Sequence, residues 1–250
     1  VDAAGYGSVQ GGRGVRMSDK TIIAWTEKTW NPWRGCTKID PGCKNCYMFA
    51  AQSRYGRDPS EVVRTKTWDD PRKWQSEAVR ESKQTLVFTC SWSDWFHVAA
   101  DPWRDDAWNV VRECPNLTFQ ILTKRAERIS ANLPADWGAG YPNVWLGVSI
   151  SEKSGQWRAD ELRQIPAHVR FISYEPALGP LDTIDLSGIG WLIYGGESGH
   201  GYRPEDKQWA RDIYARCRAA GTKFFHKQSA GPRTEMGIEL DGQIVREFPA

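Results

Sequence analysis

The stretch from Thr85 to Thr123 reads TLVFTCSWSDWFHVAADPWRDDAWNVVRECPNLTFQILT. Its two ends, Thr85–Cys90 (TLVFTC) and Thr118–Thr123 (TFQILT), are short and almost unbroken apolar runs, the pattern of strands buried on both faces. Between them Pro102–Glu113 reads as a helix. Asp101 stands where an N-cap belongs, and Pro102 occupies the first helical position, where a missing N–H costs nothing. A strand, a helix and a second strand in this order predict one βαβ unit with a parallel pair.

The same rhythm extends in both directions. Strand-like runs recur at Val144–Ile150 (VWLGVSI), Val169–Tyr174 (VRFISY), Trp191–Tyr194 (WLIY) and Lys223–His226 (KFFH), and a further strand is expected within Ile22–Thr26. Helices are expected over Asp69–Ser82, Lys124–Asn132, Ser154–Gln164 and Glu205–Ala220, the last stopped by Gly221. Regular alternation without a glycine-rich dinucleotide turn favours an α/β fold of the full or partial (β/α) TIM-like barrel type over an open doubly wound sheet. No internal repeat or linker follows Met17, so residues 17–250 read as a single domain. Residues 1–16, rich in glycine and without periodicity, read as a disordered extension or an expression remnant.

Composition narrows the class. The chain of 250 residues is 40% hydrophobic and 26% charged, which describes a globular protein able to bury a core without disulfides. A net charge of +2 speaks neither for nor against a nucleic-acid partner. No stretch approaches the ~20 apolar residues of a membrane span, and no apolar segment follows a basic start; the expectation is a cytoplasmic protein with reduced thiols and no membrane partner. Most of the fourteen Trp are expected in the core, with a few free to stack on a flat ligand.

In barrels of this kind the chemistry lies at the C-terminal ends of the strands. Those ends carry Ser91, Ser93 and Asp94, then Lys124 and Arg125, Ser149 and Ser151, Glu175, Glu197, and finally His226 and Lys227. Ser91, Asp94, Glu175 and Glu197 are the candidate cofactor-binding residues; ion pairing with a rim Lys or Arg is the plainer role for the two glutamates. Lys124–Arg125 and His226–Lys227 are basic pairs able to hold phosphates. His200 and Cys90 are further candidates for reactive side chains, and Arg34 for balancing cluster charge or contacting DNA.

Three cysteines stand out from the other three. Cys36, Cys43 and Cys46 have the spacing C-x6-C-x2-C within WNPWRGCTKIDPGCKNCY, Trp30 to Tyr47. A disulfide would leave an odd thiol, and clustered thiolates bind soft metals, so the candidates are iron–sulfur and zinc. Structural zinc takes four closed ligands, and the first His is distant, at position 97. Three thiols suit a [4Fe–4S] cluster with three anchored irons and one open.

A three-Cys loop after the first strand of a βα barrel resembles the radical S-adenosylmethionine superfamily. Its usual spacing is C-x3-C-x2-C with an aromatic residue beside the last Cys, here Tyr47. The first interval is three residues longer in this chain, and Gly195-Gly196-Glu197, similar to a turn that binds the methionine amine, follows a late strand rather than the second. The phrases WNPWRGCTKIDPGCKNCY, WLIYGGESG (191–199) and FFHKQ (224–228) further resemble a phage and prophage three-Cys-motif family related to that superfamily, over nearly all of residues 18–231. The resemblance implies that Cys36, Cys43 and Cys46 hold three irons and that the open iron takes the amino and carboxylate groups of S-adenosylmethionine. Reductive cleavage of that cofactor to a 5′-deoxyadenosyl radical would then act on a nucleic acid or another macromolecule, in the cytoplasm of the host cell and with a reductant protein as partner. The alternative is a non-catalytic iron–sulfur protein that binds nucleic acid or a protein partner. No catalytic side chain is singled out.

Overall fold

Side chains alternate across a strand, so a strand covered on both sides is apolar at nearly every position. Runs of that kind form the sheet in the computed structural model, which describes residues 21–250; the expectation for residues 1–16 lies outside the described residues. In chain order the elements are β1 (Lys28–Trp30), β2 (Trp33–Arg34), α1 (Tyr47–Arg54), β3 (Val63–Arg64), α2 (Asp70–Arg80), β4 (Thr85–Thr89), α3 (Asp101–Glu113) and β5 (Leu117–Thr123). There follow β6 (Val144–Ser149), α4 (Trp157–Arg163), β7 (Val169–Tyr174), β8 (Trp191–Gly195), α5 (Lys207–Ala220) and β9 (Lys223–Gln228).

Seven strands form one sheet in the order β1-β4-β5-β6-β7-β8-β9, and every neighbouring pair is parallel. The strands follow chain order across the sheet, and β1 does not pair with β9. This is the α/β fold expected from the sequence, a partial (β/α) barrel that stays open. The β9 edge is covered by the C-terminal tail, through His226 N–H to the Val245 carbonyl (2.7 Å) and Glu247 N–H to the Phe224 carbonyl (2.9 Å). Covering the edge removes a template for unwanted pairing. Among the described residues no helix is long and apolar enough to cross a membrane.

Three local expectations are corrected. The first strand is Lys28–Trp30, registered on Val87–Thr89, and not Ile22–Thr26. Ile22 is exposed, while Trp25 turns into the barrel and its carbonyl accepts from the Gln120 amide at 3.2 Å. Residues 124–132 form two 3₁₀ turns, Ala126–Arg128 and Ser130–Asn132, rather than a helix. The Lys124 N–H is held by Asp94 (2.9 Å), and Pro134 biases Leu133 away from the helical region, leaving little room for an α-helix. α1 and the antiparallel β2–β3 pair were not expected at all.

The two faces of the sheet carry separate apolar clusters. One joins Val87, Phe119, Ile121, Leu146, Val148, Ile172 and Leu192 to helix residues such as Ala107, Trp108 and Val111. The other contains no helix residue: Trp25, Phe88, Trp145, Val169, Phe171, Trp191, Ile193 and Phe225 line the concave side. Continuing each concave column toward the strand ends leads, by alternation, to Lys124, Ser149 and Ser151, Glu175, Glu197 and Lys227. The interior therefore has an aromatic floor and a polar top. His226 has the opposite parity and is no rim residue. It is buried on the helix side, stacked on Tyr194 at 5.5 Å, with Nδ1 toward the Ile238 carbonyl at 3.3 Å.

Gly147 belongs to the concave column, and a Cβ there would lie 2.4 Å from the Phe171 ring. Gly147→Ala should destabilise the fold by about 1–3 kcal/mol in urea unfolding, the usual cost of overpacking; an unchanged midpoint would show that Phe171 is free to move.

Burial holds the His226 imidazole below its ordinary 6.5, outweighing the opposing pull of the Ile238 carbonyl and Glu205. The unfolded chain therefore binds a proton first as pH falls. The stability contributed by neutral His226 is present above pH 6.5 and declines as pH drops from there toward the lowered value. The urea midpoint should fall between pH 7 and 5, and His226→Phe should flatten that fall. Identical pH profiles for the two proteins would refute the assignment.

Candidate functional site

The loop between β2 and α1 carries the three cysteines and lies across the strand ends. It has almost no apolar side chains of its own, so polar contacts must hold it. Asp40, in the middle of the loop, pairs with Lys124 (3.3 Å) after β5 and with Arg158 (2.8 Å) in α4. Burial alone would push the Asp40 carboxyl up, but Lys124 and Arg158 together bring it below the usual carboxylate range. Lys124 Nζ also reaches Ser151 Oγ at 3.3 Å. Gly42 lets the loop settle here: a Cβ would sit 2.1 Å from Ser151 Oγ.

Arg125 fixes the first cysteine. Its guanidinium pairs with the buried Asp94 (3.0 Å) and donates to Cys36 Sγ (3.7 Å), to the Thr37 carbonyl (3.1 Å) and to Thr37 Oγ1 (2.8 Å). Asp94 is itself anchored, accepting from Phe96 N–H (2.9 Å), Thr123 Oγ1 (2.7 Å) and Lys124 N–H (2.9 Å). Burial, then the charge of Asp94, push the Cys36 thiol up to about 12 against the pull of Arg125. Thr37 Oγ1 also meets His97 Nε2 at 3.1 Å; because Nδ1 accepts from Ala99 N–H, the neutral ring carries its proton on Nε2 and donates it to Thr37.

Cys43 ends a 3₁₀ turn, Pro41–Cys43, with its sulfur 3.5 Å from Asp40 Oδ1. Cys46 is the N-cap of α1. Burial raises its thiol above the ordinary range, and the N–H groups of Met48 and Phe49 pull the other way. Cys43 lies within electrostatic reach of both other thiols. The first turn of α1 folds back onto the rim, since the Tyr47 hydroxyl donates to the Ser91 carbonyl.

Glu197 closes the far side. Its buried carboxylate pairs with Arg203 and accepts from Arg203 N–H (2.8 Å) and the Asn45 amide (3.0 Å). Arg203 in turn donates to the Pro41 carbonyl (3.0 Å), and Asn45 to the Gly201 carbonyl (2.9 Å). Burial would raise this carboxyl, but the Arg203 side chain and backbone, with Asn45, lower it below its usual range. Gly195-Gly196-Glu197 thus works as a latch on the cysteine loop.

The sequence-derived residues divide accordingly. Cys36, Cys43 and Cys46 share the mouth with Glu175. Ser91 lies at the sheet edge, bonded to Asn31 (3.0 Å). Asp94 sits beneath the loop with both oxygens engaged. The basic pairs are not free for phosphates: Lys124 and Arg125 hold the loop, Lys227 holds Glu175 at 2.5 Å, and His226 is buried. Cys90 packs in the helix-side core, and His200 is exposed beyond the latch. Sequence reasoning missed Asp40, Asn45, Arg158 and Arg203. A lone acid within an otherwise basic cysteine loop was the available signal for Asp40; nothing local marks Arg158.

Glu175 is the exception among these satisfied groups. One carboxylate oxygen takes Lys227, while the other, Oε1, is buried without a partner among the described residues. Gly195 makes room for this side chain, its missing Cβ 3.0 Å from Glu175 Cγ. A buried carboxylate oxygen without a donor is costly, so the site fits a bound group that brings an N–H or O–H. Three thiolate ligands are the donor chemistry of a cubane with one open iron. Among the described residues no three His, Cys, Asp or Glu side chains converge as a site for a metal ion.

Glu197→Gln should leave Arg203 without its counter-charge and loosen the loop, costing about 1–3 kcal/mol. Alkylation of the buried Cys43 in the metal-free protein should accelerate; an unchanged rate would show that the latch does not hold the loop.

Two solved structures align with this chain. Spore photoproduct lyase complexed with dinucleoside spore photoproduct aligns with a TM-score of 0.47 and 15% identity over 83% of this chain and 66% of that one. A double mutant of the lyase, with bound AdoMet and dinucleoside spore photoproduct, aligns with a TM-score of 0.48 and 14% identity over 82% and 65%. This chain therefore spans just under two thirds of those lyase chains. No curated protein matches it. The profile described as "Protein of unknown function (DUF5131)" matches residues 20–249, nearly everything described above, and the chain belongs to that family.

Proposed function

We propose that this protein is an iron–sulfur enzyme of the radical S-adenosylmethionine type, working at the polar mouth of its half-barrel on a nucleic acid or another macromolecule. The observation that carries the reading is the unpartnered Glu175 Oε1 at the end of β7, in the mouth that the three-thiol loop spans between Lys124 and Glu197, a combination that calls for a metal cluster and for a second, hydrogen-donating ligand. Cys36, Cys43 and Cys46 would hold a [4Fe–4S] cluster, which when bound supplies single electrons and an open iron to a cofactor.

The chain's own residues do the rest. Arg125 donates to Cys36 Sγ and so stabilises negative charge at the first ligand. Lys227 fixes one oxygen of Glu175 and leaves the other to accept from an ammonium or ribose hydroxyl of S-adenosylmethionine. Ser149 steadies the Glu175 backbone by donating to its carbonyl at 3.1 Å. The aromatic floor of Trp145, Phe171, Trp191 and Phe225 keeps water from entering from below.

The test is anaerobic purification with iron, sulfide and zinc analysis, then electron paramagnetic resonance of the reduced protein with and without S-adenosylmethionine. About four irons per chain and a cofactor-induced spectral change are expected. Glu175→Gln should keep the iron and weaken the cofactor effect about tenfold or more, as for a lost charge-assisted hydrogen bond. Iron without any response to cofactor would reduce the protein to the non-catalytic iron–sulfur alternative, and stoichiometric zinc would remove both.

A further inference from the structure

Residues 34–66, which run from β2 through the cysteine loop and α1 to just past β3, carry seven Lys or Arg against three Asp or Glu, although the whole chain has a net charge of only +2. Among the described residues, the ion pairs made by this segment are those of Asp40 with Lys124 and Arg158, and a long Arg64–Asp106 contact at 3.8 Å. Lys38, Lys44, Arg54 and Arg57 are exposed and make none. The one acid inside the cysteine loop is thus neutralised from below, while the cations above it are exposed and meet no acid, Lys38 Nζ donating to the Lys44 carbonyl at 2.8 Å and lying 4.8 Å from the Phe49 ring centroid.

The aromatic residues are placed to match. Tyr47 is 57% exposed and Tyr55 66%, unusual values for large rings in a chain that buries most of its aromatics. α1 buries Met48 and Gln52 and turns Tyr47, Ala50 and Arg54 outward, one stripe at helical spacing with a small residue in the middle. Arg57 lies 5.7 Å from the Tyr55 ring centroid, within cation–π range, so a cation and a ring stand side by side on this face. Uncompensated cations interleaved with exposed rings form the surface that binds single-stranded nucleic acid, with cations on phosphates and rings on unpaired bases.

We infer that the face formed by Lys38, Lys44, Arg54 and Arg57 with Tyr47 and Tyr55 binds a single strand of nucleic acid and lays it across the barrel mouth. This names the substrate class of the site proposed above and rests on that reading for its functional meaning. A single strand fits better than a duplex, because the mouth is recessed beneath the loop and a base within a duplex would first have to leave its stack.

Fluorescence anisotropy with short labelled oligonucleotides, over a range of salt concentrations, tests it on anaerobically purified protein whose iron is measured in the same samples. Wild type should bind a single strand more tightly than a duplex or heparin, and the tighter of DNA and RNA names the source. The triple variant Lys38→Gln, Arg54→Gln, Arg57→Gln should reduce the slope of log affinity against log salt by about two, at ~0.7 per phosphate contact. Tyr55→Ala should weaken single-strand binding about fivefold, the low end for one lost stacking platform. All four positions are exposed, so thermal unfolding should be unchanged. Binding that is no tighter to single strands than to heparin, or a slope unchanged in the triple variant, overturns the inference. Iron retained without strand binding overturns it and leaves the cluster reading standing; strand binding by a protein that takes up no iron does the reverse.

Discussion

A loop that carries three thiols over an open barrel cannot hold itself in place by burying apolar surface. Between Gly35 and Cys46 its one large aliphatic side chain, Ile39, is exposed. Position therefore comes from charge-assisted hydrogen bonds sent up by the strand ends and their flanking segments: Arg125 after β5 to Cys36 and Thr37, Lys124 after β5 and Arg158 in α4 to Asp40, and Glu197 with Arg203 after β8 to Asn45 and Pro41. Such bonds contribute modestly to stability because their charges leave water, but their geometry is strict. They decide where each sulfur stands.

The ties come from widely separated strands, so the loop is in register only when the sheet has curled. The alternation of side chains then sorts the interior. Each concave column begins with an aromatic or aliphatic residue at the floor and ends in a polar one at the mouth. The floor lowers the local dielectric, and the polar groups above act more strongly than they would in water. Nearly every one of them is matched within the protein. Of the three rim carboxylates Asp94, Glu175 and Glu197, Glu175 is the one with a buried oxygen that has no donor among the described residues, although all three looked alike in the sequence.

Much of the barrel was legible beforehand. β4 to β9 are short apolar runs, and burial on both faces leaves no other pattern. The Gly221 stop also holds, its backbone left-handed after α5. β1 was misplaced because Lys28–Trp30 is an edge strand with little apolar character, while the more hydrophobic Ile22–Trp25 serves a loop that plugs the floor. The 124–132 stretch has helical composition, but the Asp94 carboxylate captures its first N–H, a long-range event that no local propensity records. In the site, the thiols announced themselves by spacing and Glu175 by its place at a strand end. Arg158 and Arg203 were silent, because an Arg on a helix or in a loop looks the same whether it meets solvent or a cysteine-loop oxygen more than a hundred residues away, as Arg158 meets Asp40 and Arg203 the Pro41 carbonyl.

The sequence by itself determined the parallel βα architecture, through unbroken apolar runs separated by amphipathic segments, and singled out three thiols, through their close spacing. Both are written in local patterns. Only the tertiary structure decided which polar residues are latches and which one is left open, because that depends on partners brought together across the sheet. It turned Gly195-Gly196-Glu197 from a cofactor turn into a clasp, buried His226 on the helix side, and set Glu175 beside the cysteines with an oxygen still to be satisfied.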